Sequence, residues 1–116
     1  MATTDDTTQG IPVMCDLGAI PAGELAEHQR LIERVWHDPT VEREELPDGF
    51  GLRFSADRYP ELVSFIANER LCCPAFRFTL EVSPGQGPIW LRISGGPGVK
   101  EVLATGDIPQ LGELER

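Results

Sequence analysis

Apolar residues in the first third of the chain recur at the spacing of an α-helix. The recurring apolar positions are Leu25, Ile32, Val35 and Trp36, and His28 recurs at the same helical spacing. Pro21 precedes them and suits a first helical turn, because proline has no backbone N–H to leave unpaired there. The Asp38–Pro39 pair follows, and the residue before a proline is disfavoured in helical geometry. The pattern therefore predicts an amphipathic helix between these prolines.

Two further helices are predicted downstream. One begins at Pro60 and runs to about Cys72, and its buried stripe consists of Leu62, Phe65 and Ile66. The other is short, from Val99 to Ala104, with Gly106 placed to end it.

Strict alternation of apolar and polar residues predicts strands elsewhere in the chain. Phe76 to Val82 and Ile89 to Ser94 form the clearest pair, joined by a loop rich in proline and glycine. Val41 to Leu46 and Phe50 to Phe54 flank the turn Pro47-Asp48-Gly49 and predict a hairpin. The short apolar run from Ile11 to Leu17 predicts one more strand at the start.

The predicted order is β-α-β-β-α-β-β-α. This order favours a single α+β domain over residues 11–105, with a mainly antiparallel or mixed sheet and the helices packed on a face. Residues 1–10 and 106–116 lack hydrophobic periodicity and are predicted to be flexible tails. The 116-residue length fits one domain with one core.

The net charge and the N-terminal residues indicate which partners and which cellular location to expect. The chain carries 10 basic and 19 acidic residues, for a formal net charge of -9. Such a charge repels phosphate backbones and anionic membranes, so we expect no nucleic-acid partner and no membrane partner. Met1 to Gly10 contains no apolar run and is not typical of a signal peptide. We therefore expect a cytoplasmic protein.

Three cysteines are present, and a reducing cytoplasm keeps ordinary thiols free. We therefore expect Cys15, Cys72 and Cys73 to be free thiols. Such thiols serve as buried hydrophobes, as metal ligands or as reactive sulfurs, and composition does not separate these roles.

The most informative segment reads Glu69-Arg70-Leu71-Cys72-Cys73-Pro74. Vicinal thiols are a poor choice for packing alone, since a hydrocarbon side chain fills the same space without reacting. Pro74 predicts that the helix ends near Cys72 and that the two side chains diverge. Both sulfurs could then reach one soft cation, and Cys15 could supply a third.

Glu69 lies on the same predicted helix face as Leu62, Cys72 and Cys73. A carboxylate on an apolar face needs a partner. It could be a metal ligand beside the sulfurs, a proton acceptor for a thiol, or the partner of an arginine. The candidate arginines are Arg53, Arg77 and Arg92.

The sequence leaves the reactivity of these thiols open. The negative end of the helix dipole raises a thiol pKa, whereas Arg70 and Arg77 would lower it. Zinc-finger and Cys-x-x-Cys redox sites are disfavoured, because neither spacing is present. His28 suits either a hydrogen-bonded histidine at the edge of the core or a proton carrier for thiol chemistry.

Three segments together resemble a family of small bacterial proteins of unknown function, over about residues 13–104. They are Leu46–Phe50, Glu69–Pro74, and Trp90–Gly95 followed by Gly98-Val99-Lys100. The resemblance implies a shared fold and a motif Glu-Arg-x-Cys-Cys-Pro. Ala75 stands where that family usually has an aromatic residue, which would leave room beside the thiols. Paired cysteines are also found in heavy-metal resistance proteins, an analogy of ligands only.

The leading hypothesis is a protein that binds a soft metal or metalloid ion such as Hg, As, Cu(I) or Zn, for sequestration, transfer or resistance. Cys72 and Cys73 would be the thiolate ligands, with Glu69 as auxiliary ligand or base and Cys15 as third sulfur. A thiol-dependent redox or lyase enzyme is the alternative, in which Glu69 or His28 moves a proton. A binding or assembly module with structural cysteines is the third, and a homodimer is left open. The expected partner is a metal ion or a small thiol-reactive molecule.

Overall fold

The computed structural model describes residues 13–105, so both predicted tails lie outside the described residues. The helices are α1 (Leu25–Val35), α2 (Tyr59–Cys72) and α3 (Val99–Thr105). The strands are β1 (Glu42–Leu46), β2 (Gly49–Phe54), β3 (Phe76–Val82) and β4 (Ile89–Gly95). Short 3-10 turns precede α1 and α2. These bounds confirm the three predicted helices and both predicted hairpins.

The four strands form one antiparallel sheet in the order β1-β2-β4-β3. The two central strands pair Leu52 with Leu91 and Phe54 with Ile89. The β3–β4 hairpin pairs Phe78 with Ile93. Apolar residues of neighbouring strands therefore stand opposite one another on one face, and that face carries the core.

The helices cover this apolar face, as the sequence predicted for an α+β domain. Leu52, Leu91 and Leu62 are fully buried between the two layers. Phe65 of α2 meets Phe78 of β3 edge to face, with ring centroids 6.4 Å apart. The alternate positions of the strands, such as Arg53, point to the opposite face, which accounts for the period-two pattern in the sequence.

The segment before α1 differs from the predicted strand over residues 11–17. Within its described part, Cys15 makes a single β-bridge, and the backbone N–H of Asp16 donates to the carbonyl of Cys72 at 2.8 Å. A 3-10 turn then begins at Leu17, because the Asp16 carboxylate accepts a hydrogen bond from the Gly18 N–H. This turn ends the extended backbone after one bridge. The segment therefore lies against the end of α2 and adds no strand to the sheet.

Helix α3 packs beside the cysteines, where its Leu103 lines the same cavity as they do. Its Leu103 is buried in the core, and Lys100 pairs with Glu45 of β1 at 2.6 Å. A Cβ atom on Gly95 would lie 2.7 Å from the Val99 side chain and 2.8 Å from the Ala75 carbonyl. Glycine at that position therefore permits α3 to pack closely against the turn that follows the cysteines. Among residues 13–105, no helix has the length and apolar character needed to cross a bilayer.

Candidate thiol site

The end of α2 positions the candidate motif as the sequence predicted. Cys72 is the last helical residue, and Cys73 leaves the helix with φ -124° and ψ 78°. The backbone N–H of Cys73 still donates to the carbonyl of Glu69 at 2.7 Å. Pro74 favours this exit because its ring disfavours helical geometry at the residue before it.

The three sulfur atoms lie together in the core. Ligand atoms of Cys15, Cys72 and Cys73 are all within 4.8 Å of one another, and each residue is 2% exposed. The hydrogen bond from the Asp16 N–H to the Cys72 carbonyl joins the first segment to the end of α2, and this contact holds Cys15 near the other two cysteines. The sequence-based suggestion that Cys15 supplies a third sulfur therefore agrees with the geometry.

Two of the three thiols are joined, which makes the expectation of free thiols wrong for Cys15 and Cys73. These residues form a disulfide with Cα atoms 4.4 Å apart and a sequence separation of 58. Cys72 is a buried free thiol. Composition did not reveal the pairing, since it depends on where the first segment docks.

The expected divergence of the vicinal side chains is also wrong. Sγ of Cys72 and Sγ of Cys73 lie 3.6 Å apart. Although the backbone of Cys73 leaves the helix, both side chains point into the core, where burial stabilises them. The two sulfurs are close enough to share one ligand.

Glu69 has a histidine partner, and two of its candidate arginines, Arg53 and Arg92, pair with other residues. Nε2 of His28 lies 2.7 Å from Oε1 of Glu69, and His28 is fully buried. Arg53 and Arg92 instead contact Glu42 and Glu81. The signal for the true partner was His28 itself, a polar residue within the apolar stripe of α1.

The second carboxylate oxygen of Glu69 faces the sulfurs. Its Oε2 lies 3.5 Å from Sγ of Cys73. Nδ1 of His28 has no hydrogen-bond partner among the described residues, and the ring stacks on Phe65 at 5.8 Å. A proton on Nε2 that is donated to Glu69 leaves no buried N–H unpaired, so this tautomer fits the surroundings. Glu69 therefore connects His28 to the cysteines.

Burial raises the pKa of the Cys72 thiol from 9.0 to about 11, and the nearby charge of Glu69 adds to this effect. A hydrogen bond from the Asp16 backbone acts in the opposite direction but is outweighed. Arg70, which the sequence offered as a lowering influence, is exposed. Cys72 is consequently a protonated thiol at neutral pH.

This raised pKa predicts a loss of stability at alkaline pH. The folded protein retains the Cys72 proton after the unfolded chain has lost it, so the contribution is fully present below about pH 9 and disappears toward pH 11. We expect a loss of about 2 kcal/mol by about pH 10.5. Urea unfolding of the oxidised wild type and of Cys72→Ser at about pH 8 and about pH 10.5 measures it. An equal alkaline loss in both proteins would contradict the prediction.

A cavity of about 110 Å³ lies beside the three cysteines. Its other lining residues are Leu17, Ile32, Trp36, His37, Phe65, Glu69, Phe76, Ile93 and Leu103. Ala75 is buried and does not itself line this cavity. Among the residues that the structure describes, the lining contains neither lysine nor arginine, and Glu69 is its one carboxylate. The site is thus an apolar chamber with three sulfurs and one acid.

No protein-family model, curated protein or solved structure matches this chain. The resemblance to the family with the Glu-Arg-x-Cys-Cys-Pro motif therefore stays a prediction. The arrangement of the three sulfurs, Glu69 and His28 is the basis for a functional proposal.

Proposed function

We propose that the reduced protein binds one soft metal or metalloid ion through Cys15, Cys72 and Cys73. The observation that carries this proposal is the clustering of three buried sulfurs within 4.8 Å. Thiolates are soft ligands and favour soft ions over Mg²⁺ or Ca²⁺. Three sulfurs drawn from two distant segments also form a more selective site than the vicinal pair alone.

The disulfide sets the condition under which this site can act. In the oxidised protein, Cys15 and Cys73 are bonded to each other, and only the Cys72 thiol is free. Reduction adds two electrons and two protons, breaks the S–S bond and leaves three thiols. A phosphine supplies both electrons in vitro, with water as the source of oxygen for the phosphine oxide. We therefore expect ion binding by the reduced form.

Native mass spectrometry tests the proposal directly. Protein reduced with a phosphine is mixed in turn with Zn(II), Cu(I), Hg(II) and arsenite, and oxidised protein is treated in parallel. We expect the reduced wild type to gain one ion with at least one of these reagents. The oxidised protein and the Cys72→Ser/Cys73→Ser variant are expected to lose that capture.

His37→Ala is the matched control, because His37 is an exposed residue on the cavity wall that the proposal does not use as a ligand. This variant should capture the same ion in the same ratio. Failure of the reduced wild type to capture any of the four reagents would overturn the proposal. Equal capture by the double variant would also overturn it, since the bound ion would then lie elsewhere.

A thiol-disulfide exchange enzyme is the second candidate, favoured by one specific observation. A free thiol, Cys72, lies 3.6 Å from one sulfur of a disulfide, and the Glu69–His28 pair lies beside it as a route for protons. Its raised pKa and its burial make Cys72 a poor nucleophile at neutral pH, which favours ion binding over turnover. Catalytic oxidation of a dithiol substrate or reduction of a disulfide substrate, lost in Cys73→Ser, would support the enzyme instead.

A further inference from the structure

The number of donor atoms in the thiol site suits an ion with three bonds. Among the described residues, the ligand atoms that lie within 4.8 Å of one another are the three sulfurs, and neither carboxylate oxygen of Glu69 belongs to that group. Zn²⁺ in proteins takes four ligands in structural sites, and water or substrate completes the shell in catalytic sites. Trivalent arsenic and antimony instead form three pyramidal bonds to sulfur, and a lone pair occupies the remaining direction. Such a centre needs no fourth donor.

The charge of the complex separates the candidate ions further. Three thiolates bring a charge of minus three, so a trivalent centre yields a neutral complex. A divalent ion with the same three ligands leaves one negative charge, and a monovalent ion leaves two. Buried charge without a partner is costly, by several kcal/mol per ion even after relaxation.

The surroundings of the sulfurs offer little positive charge: the Asp16 N–H donates to Cys72, and the exposed His37 lies on the cavity wall. The side chains lining the cavity are mainly apolar, and they include Phe65, Phe76 and Ile93. Neither lysine nor arginine lines it among the described residues. The Glu69 carboxylate lies 3.5 Å from the Cys73 sulfur and would repel any further anion. A neutral complex is therefore the one that this environment accepts.

From these observations we infer that the thiol site selects a trivalent metalloid, supplied as arsenite or antimonite, which bonds to Cys15, Cys72 and Cys73. This inference rests on the proposed function and names the class of ion. The reaction balances without a further reagent: the three thiol protons combine with the three hydroxyl groups of the neutral hydroxide, and three water molecules leave. Three metalloid–sulfur bonds replace three metalloid–oxygen bonds.

The test compares selectivity with that of exposed thiols, because affinity in absolute terms also reflects the intrinsic preference of each ion for sulfur. The reference is a flexible peptide with three exposed cysteines. Dissociation constants for arsenite and Zn(II) are measured on the reduced protein and on the peptide. We expect the Zn(II)-to-arsenite ratio of these constants to be at least about 100-fold greater in the protein.

Two kinds of variant examine the reason for that selectivity. Glu69→Gln removes the negative charge near the sulfurs, and we expect it to tighten Zn(II) binding while arsenite binding changes little. Glu33→Gln is the matched control, because Glu33 is exposed on α1 and should leave both constants unchanged. Each single change of Cys15, Cys72 or Cys73 to serine should weaken arsenite binding by about 100-fold or more, since one metalloid–sulfur bond is lost.

The outcomes separate this inference from the proposed function. If the reduced protein binds Zn(II), Cu(I) or Hg(II) at the cysteines but has no arsenite preference over the peptide, the inference is overturned and the proposed function stands. Arsenite binding that survives all three single serine variants overturns the three-bond geometry. If no ion binds the reduced protein, both proposals are overturned.

Discussion

Reduction of the Cys15–Cys73 disulfide is expected to lower the free energy of unfolding by about 4 kcal/mol. The bond joins residues separated by 58 positions, and the chain-entropy cost of closing such a loop is released when the bond breaks. The described domain has a single core, so this loss is a large fraction of the stability expected for its size. The docking of the segment around Cys15 should be the first contact to weaken.

Urea unfolding with and without a phosphine reductant measures this effect. The Cys15→Ser/Cys73→Ser variant provides the control, because it has no disulfide and should be insensitive to the reductant. We expect this variant to resemble the reduced wild type in stability. An unchanged midpoint in the reduced wild type would show that the bond adds no constraint to the unfolded chain.

Ion binding should restore part of the lost stability if the proposed function is correct. A ligand that binds only the folded state at about 100 times its dissociation constant stabilises it by about 2.7 kcal/mol. Stability and ion binding can therefore be measured on the same reduced sample, since reduction lowers the free energy of unfolding and also frees the three thiols that bind the ion. The Cys15→Ser/Cys73→Ser variant, treated with the same reductant, should gain no such stabilisation from the ion.

The second large effect is expected for His28→Ala, which should destabilise the protein by about 3 to 5 kcal/mol. The change removes the hydrogen-bond partner of Glu69, a residue that is only 7% exposed. A buried carboxylate without a donor retains its desolvation cost, and the lost ring leaves a void beside Phe65. The loss of the hydrogen-bond partner and the new void therefore both lower the free energy of unfolding.

A double variant distinguishes these two causes. His28→Leu/Glu69→Leu replaces the buried pair with apolar groups and should lose less stability than the sum of the two single changes. Arg30→Ala is the matched control on the same helix, because Arg30 pairs with Glu27 where both side chains are at least 60% exposed. We expect that control to change stability by less than about 1 kcal/mol. A small effect of His28→Ala would contradict the role assigned to the pair.

Periodicity predicted the repeating elements because its physical origin is local. An amphipathic helix or a half-buried strand presents its apolar side chains at a fixed spacing, so α1, α2 and the β3–β4 hairpin could be recognised from neighbouring residues. In the described residues 13–17, the predicted first strand was wrong for the same reason. Its apolar run resembles a strand, but the Asp16 side chain turns the backbone after a single bridge.

The candidate site was predicted in its members but not in its connections. Glu69 was identified because a carboxylate on an apolar helix face requires a partner, yet the partner lies 41 residues away on α1. Three arginines were candidate partners from sequence, whereas the partner in the structure is a histidine. Which residue meets Glu69 depends on how α1 packs against α2.

Residues a few positions apart are enough to predict the helices, both hairpins and the end of α2 at the vicinal cysteines, since each of these features has a local cause. The pairing of Cys15 with Cys73, the contact of His28 with Glu69 and the grouping of three sulfurs beside one apolar cavity instead depend on how distant elements pack. These contacts join segments separated by 41 and 58 residues. Their formation depends on the docking of whole elements, which no local pattern encodes.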